Sequence, residues 1–199
     1  MSTEDNMNTQ TPELSRRGFL RMGAGLAAGL VASPLLAQNV KAPGLVGERS
    51  LSLYNIHTGE SLNTVYWQNG AYIAEAMQDI NHILRDRRNG EVWDMDTRLI
   101  DMLSQLYDKV DGKKPFYVIS GYRSPNTNTY LRKTSSSGGV AKRSLHMQGR
   151  AIDVRLPGVE LAHLHKASVR MKKGGVGYYP RDGFIHVDTG RVRYWGQKA

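Results

Sequence analysis

Apolar residues recur at helical spacing in three stretches of the chain. Ile73, Met77, Ile80 and Leu84 mark one face of a helix over Ala71–Arg88, which Asn89-Gly90 ends. Leu99, Leu103, Leu106 and Val110 mark a second over Asp96–Val110, stopped by Asp111-Gly112. Val159, Leu161, Leu164 and Val169 mark another over Gly158–Met171. Ser124-Pro125 opens a shorter helix through Arg132, with a Ser/Gly-rich loop at Thr134–Gly139. Strand-like runs alternate with these. Arg49–Asn55 and Ser61–Trp67 flank His57-Thr58-Gly59-Glu60 as a hairpin, and Phe116–Tyr122 is a compact apolar strand. Arg150–Arg155, Gly175–Tyr179, Phe184–Thr189 and Val192–Trp195 complete the set. Mixed elements with hairpin links predict an α+β fold, a small antiparallel sheet with flanking helices. The sequence has no internal repeat and no glycine motif for a dinucleotide or phosphate.

The N-terminus follows a different pattern. Ser15-Arg16-Arg17-Gly18-Phe19-Leu20-Arg21 precedes an uncharged run from Met22 to Ala37. A charged segment followed by a short apolar one is the layout of an export signal. The paired arginines with Phe-Leu after them resemble the twin-arginine type, which implies the twin-arginine export machinery as a partner and the periplasm as destination. Gly23, Gly25 and Gly29 weaken the apolar run, and it falls short of the roughly 20 residues that span a bilayer, so no stable membrane anchor is expected. The expected organisation is a signal peptide at 1–37, a linker at 38–48 containing Pro43, Gly44 and Gly47, and one domain at 49–199.

Composition narrows the chemistry. The 199 residues include no cysteine, which excludes disulfides, thiolate metal sites and a cysteine nucleophile. Any metal must be held by His, Asp or Glu. The net charge is +9, and the leader contributes none of it, because Glu4, Asp5 and Glu13 balance Arg16, Arg17 and Arg21. A basic surface suits a polyanionic partner. Charge alone admits nucleic acid, but an export signal opposes it, so no nucleic acid is expected.

Two blocks carry candidate ligands. In His146-Met-Gln-Gly-Arg-Ala-Ile-Asp153, a histidine precedes a tight Gly-Arg turn and an aspartate ends the next strand. Strand alternation puts Ile152 and Asp153 on opposite faces, and a carboxylate placed there needs a partner. In Gly183-Phe-Ile-His186-Val-Asp188, alternation puts His186 and Asp188 on one face, with Ile185 and Val187 on the other. His146, Asp153 and His186 make two imidazoles and a carboxylate, a plausible catalytic zinc set with an open fourth position.

Ser120-Gly-Tyr-Arg-Ser124, then His146…Asp153, then Phe184-Ile-His186-Val-Asp188 resembles the zinc D-alanyl-D-alanine peptidase superfamily, from about Ser50 to Trp195. The match is closest to its YcbK/MepK-like branch of periplasmic murein endopeptidases. The resemblance implies Zn²⁺ on His146, Asp153 and His186, peptidoglycan as substrate, and hydrolysis of its stem peptides or cross-links. It implies Arg123 as a substrate-binding or carbonyl-polarising residue; Ser144, two before His146, is expected at the cleft rim. Several members carry an acidic general base three residues before the second histidine, where this chain has Gly183. Asp182 and Asp188 are the candidates in its place, with His57 a third, and Asp188 equally suits a hydrogen bond to a ligand. A carboxypeptidase trimming the same substrate and a non-catalytic zinc module binding peptidoglycan are the alternatives. His163 and His165 lie on different helix faces, and His82 is expected to be solvated.

Overall fold

The computed structural model describes residues 47–135 and 140–196. The leader, nearly all of the linker and most of the Ser/Gly-rich loop lie outside the described residues. The elements run β1 (Arg49–Asn55), β2 (Ser61–Gln68), β3 (Ala71–Tyr72), α1 (Ala74–Ile83), α2 (Thr97–Lys109), β4 (Phe116–Ser120), α3 (Pro125–Thr134), a 3-10 turn (Leu145–Gln148), β5 (Ala151–Arg155), α4 (Leu161–Met171), β6 (Gly175–Tyr179), β7 (Phe184–Asp188) and β8 (Arg193–Gly196). Among the described residues, no helix is long and apolar enough to cross a membrane.

The strands form one sheet in the order β3-β2-β1-β4-β5-β7-β6-β8. The α+β class holds, but the sheet is larger than the small antiparallel one expected, and two of its pairings are parallel. β1 lies parallel to β4, which the long connection through α1 and α2 permits. β8 passes to the far side of β6 and runs parallel to it.

Capping fixes the helices where the sequence supplies a cap. Asp96 accepts from the Arg98 N–H at the start of α2, and Ser124 accepts from the Thr127 N–H ahead of Pro125 in α3. The first helix is shorter than its apolar spacing predicts. Ala71 and Tyr72 pair with Gln68 and Trp67 as a strand, and the helix ends at Leu84. Beyond it Asp86 is drawn away to accept from the Ser124 N–H at 2.9 Å. Tertiary pairing overrides local periodicity at both ends.

Helices α1, α2 and α4 pack on the sheet. The core joins Ile80, Leu99, Leu103 and Leu106 of the helices to Leu53, Phe116, Ile152, Val154, Ile185 and Val187 of the strands. Ile152 and Val154 alternate with Asp153, and Ile185 and Val187 alternate with His186, so burial of the apolar set turns the polar set to the other face. Register then aligns a row across that face. Ser120 pairs with Asp153, Asp153 with His186, His186 with Gly177, and Gly177 with Trp195. A bulge between Val118 and Ser120 supplies the shift that places Ser120 in this row.

Gly149 closes the 3-10 turn at φ 64°, and a Cβ there would collide with the Asp94 carbonyl oxygen. Gly149→Ala should therefore lower stability by at least about 1 kcal/mol, from the left-handed backbone alone. Denaturant unfolding checks this, and an unchanged midpoint would contradict the assigned turn.

Candidate metal centre

His146 sits in the 3-10 turn, 3% exposed, and its backbone is tied into the loop after β4, with the Arg123 N–H donating to its carbonyl. Its Nδ1 lies 2.7 Å from the Gly121 carbonyl oxygen. A carbonyl only accepts, so Nδ1 carries the proton and Nε2 presents a lone pair. His186 is arranged the other way round. Its Nε2 donates to Asp188 Oδ2 at 2.9 Å, which leaves Nδ1 facing inward. There Nδ1 meets His146 Nε2 at 3.2 Å and Asp153 Oδ1 at 2.9 Å. Asp153 Oδ2 is 3.4 Å from His146 Nε2.

Two imidazole lone pairs and a buried carboxylate thus converge on one point. Without a cation or a proton between them, these groups repel. Ligand atoms on a tetrahedral ion with bonds of about 2.0–2.1 Å lie about 3.3 Å apart, close to the spacings found. The three residues are the group among the described residues whose donor atoms all lie within 4.8 Å of one another. The donor set fits a divalent cation of the zinc type.

Asp188 is fully buried behind His186. Its Oδ1 accepts from the N–H groups of Gly175 and Gly190 and from Arg193 Nη1, and its Oδ2 accepts from His186 Nε2 and Arg193 Nη2. Five donors occupy this carboxylate, so it fixes the tautomer and orientation of His186. A Cβ on Gly175 would stand 2.5 Å from Asp188 Oδ2, so glycine is what lets the chain close around it. Beyond an arginine five residues past a strand-end aspartate, no spacing in the sequence connects Arg193, Gly175 and Gly190 to Asp188 as its donors.

The other expected site residues divide. Arg123 reaches the cluster, with Nη2 at 3.7 Å from Asp153 Oδ2 and bonded to Ser120 Oγ at 3.2 Å. Ser144 is buried at the start of the 3-10 turn, two residues before His146, where its carbonyl accepts from the Met147 N–H. Asp182 lies in the exposed turn of the β6–β7 hairpin, beyond the Tyr179–Phe184 pair. That pair is already about 7 Å along the strand from His186. His57 is held in its loop by a bond from Nε2 to the Ile119 carbonyl oxygen. Trp195, missed from sequence, closes the other side of the site. Its ring centroid is 5.1 Å from that of His186, its Nε1 donates to the Tyr179 hydroxyl, and a Cβ on Gly177 would come within 2.8 Å of it.

Residues 45–195 match the model of the family described as Peptidoglycan L,D-endopeptidase MepK (Peptidase_M15_2). This chain belongs to the MepK family. It is 40% identical over 184 residues to the Escherichia coli K12 protein named peptidoglycan L,D-endopeptidase MepK, covering 92% of this chain and 98% of that one. A Haemophilus influenzae protein named probable peptidoglycan L,D-endopeptidase MepK is 36% identical over 184 residues, covering 91% and 95%. The fold is accordingly the zinc D-alanyl-D-alanine peptidase fold.

Charge in the MepK-family site is set by these contacts. Burial opposes the protonated form of His186, but the hydrogen bonds to Asp153 and Asp188 outweigh it and raise its pKa from 6.5 to about 9. Burial lowers that of His146. Burial also opposes ionisation of Asp153, yet the two histidines hold it well below the usual carboxylate range. A raised histidine stabilises the fold fully below its unfolded pKa, and the contribution is lost as pH rises through the folded value. The metal-free protein should therefore lose thermal stability between pH 6.5 and about 9. A melting temperature that is flat or rising across that window would contradict a shared proton on His186.

Proposed function

We propose that the protein is a zinc metallopeptidase that hydrolyses peptide bonds in peptidoglycan, acting as a murein endopeptidase on stem peptides or cross-links. The observation that carries the reading is the convergence of His146 Nε2, Asp153 and His186 Nδ1 on one point, in a chain that aligns with 98% of the Escherichia coli L,D-endopeptidase. These three residues would hold the ion. When bound, zinc supplies a Lewis acid that polarises a carbonyl and brings the pKa of water toward about 7.

The chain's own residues do the rest. Arg123 is 13% exposed at its side chain and remains a cation even though burial lowers its pKa. Its guanidinium faces the cluster and stabilises charge developing on the substrate carbonyl oxygen. Asp188 keeps the His186 Nδ1 lone pair directed inward. Its oxygens are taken, so Asp182 is the remaining carboxylate candidate for receiving the proton, by inward movement of its hairpin turn. Ser144 braces the turn that carries His146. Trp195 and Tyr179 wall the site on its β8 side. On the same proposal, residues 1–37 direct twin-arginine export to the periplasm, where peptidoglycan is met, and 38–48 link the signal to the enzyme.

The test uses the chain from Gln38 onward, incubated with purified sacculi with and without a chelator, with fragments identified by mass spectrometry. Chelator-sensitive release of uncross-linked fragments, without free D-alanine, is expected. Free D-alanine as the product would mean a carboxypeptidase, and no release from zinc-loaded protein would leave a binding module. Arg123→Ala should keep the metal and lower kcat by about 10²–10³. An unchanged kcat would remove the arginine from the reaction.

A further inference from the structure

Arg123 also lines an open pocket with His57, Asp86, Arg87, Arg88 and Ser120. Pocket and ligand cluster share a wall. Arg123 stands 3.7 Å from Asp153, and Gly121, which lines the same pocket, holds His146 Nδ1 through its carbonyl.

The pocket gathers more positive charge than the protein neutralises. Arg85 at its edge is paired with Glu60 through two bonds of 2.9 and 3.0 Å. The Asp86 carboxylate accepts from the backbone N–H groups of Arg88 and Ser124 and offsets part of the charge on Arg87 and Arg123. Arg87 and Arg88 are exposed, and among the described residues neither guanidinium has an ion-pair partner. Their fields reach the pocket's other groups. Burial and then the charge of Arg87 lower the pKa of His57, and Arg88 adds to the burial that lowers that of Arg123. Like charges lining one pocket repel, and an anion joining them relieves that repulsion. The planar fork of N–H donors on a guanidinium matches the two oxygens of a carboxylate.

We propose that this pocket is a subsite for a free carboxylate of the substrate peptide, one residue or so from the bond being cut, with Arg87 and Arg88 as its specificity-determining residues. The identity of the peptide rests on the peptidoglycan reading above, whose stem peptides carry free carboxylates at their C-termini and on diaminopimelate. The subsite would make the enzyme prefer stem peptides whose carboxylates are free over those capped as amides.

The test measures binding by calorimetry, so it does not depend on turnover. The probe is a stem tripeptide ending in diaminopimelate, as the free acid and amidated in turn at each carboxylate. The proteins are the full chain and its R87Q/R88Q variant, both checked for metal content and melting temperature. In the unaltered protein, amidation at one carboxylate should weaken binding at least about tenfold, and in R87Q/R88Q the same amidation should matter less than about twofold. The sensitive position names the carboxylate. No binding of the free acid, indifference to every amidation, or the same sensitivity surviving in R87Q/R88Q would each overturn the subsite. Sacculus digestion separates the two claims. Fragment release with amide-indifferent binding sinks the subsite alone, and amide-sensitive binding without release sinks the peptidase reading alone.

Discussion

The structure turns on three electron-pair donors pressed together out of water. His146 Nε2, His186 Nδ1 and the Asp153 carboxylate face one point within 2.9–3.4 Å of one another, and both imidazole tautomers are set from behind. The Gly121 carbonyl holds one ring and Asp188 holds the other. A fold gains nothing from such an arrangement by itself, since burying a carboxylate and two lone pairs costs free energy unless a cation joins them. The surrounding architecture makes sense as what is needed to impose that geometry.

Sheet register does most of the imposing. Ser120, Asp153, His186, Gly177 and Trp195 fall in one row across five strands, so the site spans the sheet rather than one loop. Core packing of Ile152, Val154, Ile185 and Val187 fixes which face that row occupies. A one-residue slip of β7 would bury His186 in the core and expose its apolar neighbours. Glycines at 175 and 177 leave room for Asp188 and Trp195 to close in. Beside the row, Arg87 and Arg88 line a pocket that shares Arg123 with the site and carries a net positive charge. One side offers electron pairs, the other offers positive charge, and Arg123 stands between them.

Much of this was legible in the sequence because it is local. Period-2 alternation around Asp153 and His186 places both correctly, and the caps Asp96 and Ser124 set the starts of α2 and α3. What was not legible depends on contacts between distant segments. The parallel pairings of β1 with β4 and β6 with β8 leave no periodic trace, so the sheet reads smaller and more antiparallel than it is. Ala71 and Tyr72 carry a helical pattern and are claimed by a strand. Asp188 is ambiguous in sequence between proton acceptor and hydrogen-bond partner, and the donors that surround it, Arg193 and the backbone of Gly175 and Gly190, appear only once the strands are paired. Trp195 enters the site through the glycine at 177, a pairing no spacing rule connects.

X-ray absorption at the zinc edge of the purified protein tests the central claim most directly. Two imidazole nitrogens and carboxylate or water oxygen at about 2.0–2.1 Å, with one ion per chain, is the predicted first shell. A protein that takes up no zinc, or a shell with one imidazole or none, would contradict a centre built from His146, Asp153 and His186.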